Sequence, residues 1–66
     1  MSDSFLRYTA LASAIQLARA NGLTTSEIVR ALTGSMSYAD ALKIARRAAP
    51  ILEITVPEFL RLRKND

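Results

Sequence analysis

The chain contains neither cysteine nor histidine. Without cysteine, no disulfide or thiolate metal site supports the core, which suits a reducing compartment. Losing both residue types also removes the commonest general base, the commonest thiol nucleophile and the soft metal ligands. Glycine is nearly absent as well. Gly22 and Gly34 stand too far apart in sequence to cradle a phosphate together. The carboxylates Asp3, Glu27, Asp40, Glu53, Glu58 and Asp66 are scattered, and Glu27, Asp40 and Glu58 fall where helices begin. A paired-carboxylate mechanism also needs a substrate cleft that a chain of 66 residues rarely supplies. We therefore expect no enzyme, no cofactor and no metal. No apolar run approaches the roughly 20 residues that span a bilayer. The first residues also lack a basic stretch followed by an apolar block. A cytoplasmic protein without a membrane partner is the expectation.

What is present points to a small folded domain. Half of the residues are hydrophobic, mostly Ala, Leu and Ile, which argues against disorder. The length allows one domain over residues 1–66, with a core of about 4–63. No linker or low-complexity stretch divides it. The net charge of +3 leans toward an acidic partner.

One pattern of helix initiation appears three times. In Leu23-Thr24-Thr25-Ser26-Glu27-Ile28, Thr24 is a cap, Glu27 reaches back to it, and Leu23 and Ile28 flank it as a hydrophobic staple. Ile54-Thr55-Val56-Pro57-Glu58-Phe59 repeats this arrangement. Met36-Ser37-Tyr38-Ala39-Asp40-Ala41 is a weaker version, with Asp in place of Glu.

These starts divide the chain into helices. The first is expected from about Ser4 to Ala20, leaving through Asn21-Gly22 in a left-handed conformation. Winding it at about 100° per residue gathers Phe5, Tyr8, Leu11, Ala12, Ile15 and Ala18 on one stripe. A second apolar ridge, Leu6, Ala10 and Leu17 with Ser13 and Ala14, lies roughly opposite. A surface helix normally has one apolar face. The second ridge therefore calls for a cover, either the C-terminal segment or a second copy of the chain. The second helix should run from Thr25 to about Thr33, with Ile28, Ala31 and Leu32 inward and Gly34 as its exit. The third should start at Ser37 and stop near Ala49, because a proline disfavours a helical residue before it. Its inner arc holds Tyr38, Ala41, Leu42, Ile44, Ala45, Ala48 and Ala49; its outer arc holds Asp40, Lys43, Arg46 and Arg47. Beyond Pro50, a hairpin turning at Pro57-Glu58 competes with a fourth helix. Pro-Glu offers no residue suited to positive φ. We take an extended segment over residues 51–54, then a helix from about Val56 to Arg63. The expected fold is all-α, a compact bundle of three to four short helices.

Two short helices joined by a glycine-containing turn, after a longer helix, resemble the trihelical helix-turn-helix DNA-binding domains over residues 5–49. The resemblance implies that the third helix enters the major groove of duplex DNA. It would place Ser37 at the helix start, with Lys43, Arg46 and Arg47 along the exposed face and Arg30 of the second helix near the backbone. Arg61, Arg63 and Lys64 would add backbone contacts. A small DNA-binding regulator, working as a homodimer, is the expected function. The competing reading is a protein-interaction module, an adaptor or small inhibitor that uses Leu6, Ala10 and Leu17 as its dimer or partner surface and binds no nucleic acid.

Overall fold

Each of the last three helices begins at a hydroxyl. The structure, a computed structural model, describes the backbone of residues 3–64 and the side chains of residues 10–64. It contains α1 (Asp3–Ala20), α2 (Thr25–Thr33), α3 (Tyr38–Leu52) and α4 (Val56–Lys64), with no strand among the described residues. The all-α expectation holds, and the hairpin alternative for the C-terminal segment does not.

At α2, Thr24 Oγ1 accepts from the Glu27 N–H at 3.2 Å, while the Thr24 N–H donates to Glu27 Oε1 at 2.8 Å. Two donors that the helix leaves unpaired are thus satisfied reciprocally. The other two starts make half of this arrangement. Ser37 Oγ accepts from the Asp40 N–H at 3.3 Å, and Thr55 Oγ1 accepts from the Glu58 N–H at 3.2 Å. Glu58 turns its carboxylate to Arg61 instead, whose Nε donates to Oε2 at 2.9 Å.

Helix ends are equally specific. Gly22, at φ 87°, closes α1: its N–H donates to Arg19 O at 2.9 Å and the Leu23 N–H to Ala18 O at 3.1 Å. Glu53, at φ 61°, closes α3 in the same way, with its own N–H on Pro50 O and the Ile54 N–H on Ala49 O at 3.0 Å. Both are Schellman closures, and the second uses a residue without glycine's freedom. In each case the next residue but one is the threonine that caps the following helix, so three or four residues suffice for a corner.

Helix α3 runs past the point where Pro50 was expected to end it, to Leu52. Proline removes the hydrogen bond that Arg46 O would accept. Here Arg46 and Pro50 are both exposed, so water can replace that bond. The extra turn also buries Leu52 almost completely. Residues 51 and 52 are therefore helical rather than extended, and only residues 53–55 connect α3 to α4.

The core is Ile15 from α1, Ile28 and Val29 from α2, Ala45, Ala48, Ala49 and Leu52 from α3, and Phe59 from α4. Leu11 and Ala18 pack beside it. Thr33 is buried with its hydroxyl donating to Val29 O at 2.8 Å, so no polar group is stranded there. Two inward assignments are corrected. Ala31 is exposed and Val29 takes its place, because the buried arc of so short a helix centres on Ile28 and Val29. Tyr38, in the first turn of α3, is 57% exposed, because the space between α3 and the start of α4 is left open there.

Candidate nucleic-acid interface

The inner side of α3 consists of alanines where it packs most closely. Ala41, Ala45 and Ala48 are fully buried and Ala49 nearly so. Methyl side chains bring the α3 backbone near α1, α2 and α4, all of which it contacts. The opposite side carries Asp40, Lys43, Arg46 and Arg47, all exposed. Positions 43, 46 and 47 follow helical spacing, so the three cations share one face.

Their isolation becomes informative when the other cations are placed. Arg19 Nη2 donates to Leu52 O at 3.2 Å, and Arg63 Nη2 donates to Met36 O at 2.7 Å. Arg61 is paired with Glu58. That bond holds the Glu58 carboxyl below its ordinary range and raises the Arg61 guanidinium. Arg30 is half-buried on α2, with its charge set against the Glu27 carboxylate. Lys43, Arg46, Arg47 and Lys64 make no hydrogen bond or ion pair with another described residue. The side chain of Arg7 lies outside the described residues.

Of the residues expected at a DNA surface, Ser37, Lys43, Arg46 and Arg47 thus stand on or at the start of α3, while Arg30 sits on a different helix. Ser37 Oγ accepts the Asp40 N–H, which leaves its own O–H able to donate. Residues 34–37 separate α2 from α3. Arg61 and Arg63, expected as backbone contacts, are engaged within the fold.

The described part of the second ridge of α1 stays uncovered. Ala10, Ser13 and Ala14 are exposed and Leu17 is 65% exposed; the Leu6 side chain lies outside the described residues. Among the described residues the α4 backbone packs on α2 and α3 and not along α1, so the C-terminal segment does not cover residues 10–17 of the ridge.

Two features escaped the sequence. An open groove of about 560 Å³ lies between α3 and α4, lined by Tyr38, Leu42, Val56, Leu60, Arg61 and Lys64. The i, i+4 spacing of Tyr38 with Leu42, and of Val56, Leu60 and Lys64, was the available signal. The second is that arginines from α1 and α4 tie carbonyls at both ends of α3. Pairings across 33 and 27 residues leave no local trace.

Among the described residues no three His, Cys, Asp or Glu side chains gather to hold a metal, and no helix is long and apolar enough to cross a membrane. Comparison with protein-family models, curated proteins and solved structures finds no match for this chain.

Proposed function

We propose that the chain is a small DNA-binding regulator that presents the outer face of α3 to duplex DNA. The observation that carries this reading is the division among the cations. Arg19, Arg61 and Arg63 are spent on carbonyls or a carboxylate, whereas Lys43, Arg46 and Arg47 project together from one helix without a partner among the described residues. Arginine offers a planar fork to phosphate or to a guanine edge, and lysine a point charge to phosphate. The turn over residues 34–37 has the length typical of helix-turn-helix pairs. Asp40 faces the same way, so approach to phosphate is disfavoured there and acceptance from a cytosine amino group is favoured.

A titration into a fluorescent random-sequence duplex at two salt concentrations tests the reading. Binding should weaken with salt and largely vanish in a Lys43→Ala, Arg46→Ala, Arg47→Ala variant that circular dichroism shows to be folded. Absence of wild-type binding at low salt would overturn it.

The exposed ridge of α1 favours a second reading, in which the chain works through protein contacts. Leu17 beside Ala10, Ser13 and Ala14 is an apolar strip with small residues that permit close helix approach. The two readings combine if the strip pairs two copies, since helix-turn-helix proteins often bind paired half-sites as dimers. Sedimentation of wild type against Leu17→Glu separates them. An unchanged monomer in both removes the dimer.

A further inference from the structure

We infer that Arg63 is a positioning residue for α3, a latch from α4 that fixes the turn leading into the DNA-facing helix and does not itself touch DNA. This rests on the reading of α3 as the DNA-facing helix. The Arg63 Nη2 donates to Met36 O at 2.7 Å, joining positions 27 residues apart. Met36 is the residue before Ser37, whose hydroxyl caps α3. The Met36 N–H meanwhile donates to Thr33 O at 2.8 Å. The residue that enters α3 is therefore tied from both sides, by the end of α2 and by α4.

The state of the guanidinium supports a structural task. Its Nε is buried with no hydrogen-bond partner, and the side chain as a whole is half-buried. A phosphate contact of the bidentate kind uses two adjacent N–H groups on an open edge. In Arg63 the Nε–Nη2 edge is already committed, Nε to the interior and Nη2 to the carbonyl. Leaving Nε without a partner has a cost, which the structure tolerates where the same side chain holds two elements in register. The neighbouring Lys64 has no partner among the described residues, so α4 separates the two tasks in adjacent positions.

A latch of this kind matters because Ser37 and Tyr38 lead the helix toward its target. Side chains that read a surface act only when supporting residues hold them to a fraction of an ångström. Arg19 does the complementary task at the other end, on Leu52 O.

The test combines amide exchange with DNA titration over a salt series, on wild type, Arg63→Met and Arg63→Lys. Methionine keeps an apolar stem and removes every donor. Lysine keeps the charge and loses the planar fork, and it covers the case in which the methionine variant does not fold. Loss of the latch should speed exchange of the Met36 and Ala41 amides about tenfold, while core amides such as Phe59 keep their protection. Affinity for the duplex should fall by about tenfold in Arg63→Met with the slope of log K against log salt unchanged. A slope lower by about one unit would make Arg63 a phosphate contact and overturn the proposal. Unchanged exchange at Met36 and Ala41 in both variants would overturn it as well. Failure of wild type to bind any duplex would instead overturn the assignment of α3, and this proposal with it.

Discussion

Arg19 and Leu52 are joined across the bundle: the guanidinium of α1 donates from Nη2 to the carbonyl that ends α3, at 3.2 Å. That carbonyl is one of those a helix leaves without an internal partner, at the negative end of its dipole. We expect Arg19→Met to cost about 1 kcal/mol, the net worth of one hydrogen bond to a charged donor at a partly exposed site. In a domain this small, such a loss lowers the melting temperature by about 4–8 °C. A thermal melt superimposable on wild type would mean that the bond is not formed in solution.

The depth of burial ranks the core substitutions. Phe59 is fully buried and Ile28 nearly so, whereas Leu42 is half-buried at the edge of the groove. Phe59→Ala should cost about 3–5 kcal/mol and Ile28→Ala about 2–5 kcal/mol, enough to unfold a marginal domain. Leu42→Ala should cost clearly less than Ile28→Ala, since part of its surface is wet already. Urea denaturation gives the order directly, and equal losses at positions 42 and 28 would show that the groove is closed in solution.

The capping box at Thr24 links stability to acidity. Hydrogen bonds from the Thr24 backbone, and then its hydroxyl, hold the Glu27 carboxyl below its ordinary range. A carboxyl depressed in the folded state binds fewer protons there than in the unfolded chain. Its contribution is therefore complete above the unfolded carboxylate range and is lost as pH falls through the folded value. Glu27→Gln should flatten part of the acid limb of stability against pH. Thr24→Ala should remove about 1 kcal/mol at neutral pH. An acid limb identical in wild type and Glu27→Gln would show that the box does not form.

Glu53 stands at φ 61° in a closure where α1 uses Gly22. An L-residue in the left-handed region bears a strain of roughly 1–2 kcal/mol, part of which glycine would return as a larger loss of chain entropy. Glu53→Gly should therefore stabilise the domain by about 0.5–1 kcal/mol. A lower melting temperature would indicate that the Glu53 side chain makes a compensating contact.

Most of the backbone was legible because its punctuation is local. Thr24, Ser37 and Thr55 mark helix starts through hydrogen bonds that span three residues, and Gly22 and Gly34 mark exits through their own conformational freedom. The misread stretch follows from weighing Pro50 by its preference alone. The gain from burying Leu52 comes from other helices, and no window around residue 50 contains it. The cationic face of α3 was visible by periodicity. The Glu58–Arg61 pair was readable as well, since it spans three residues of one helix. That Arg63 belongs to the fold rather than to that face was not, because the Met36 carbonyl lies 27 residues away and meets it only in three dimensions.

The methyl-lined inner side of α3 has a consequence for how this protein can change. Ala41, Ala45, Ala48 and Ala49 leave no room for growth, since even one added methylene in a close-packed seam forces neighbours apart. Asp40, Lys43, Arg46 and Arg47 contribute little to that seam. A lineage could therefore exchange the outer residues freely while the helix axis stays where it is. Diversity confined to one side of a single helix would be the historical signature of such a chain, with its interior monotonous and its exterior open to revision.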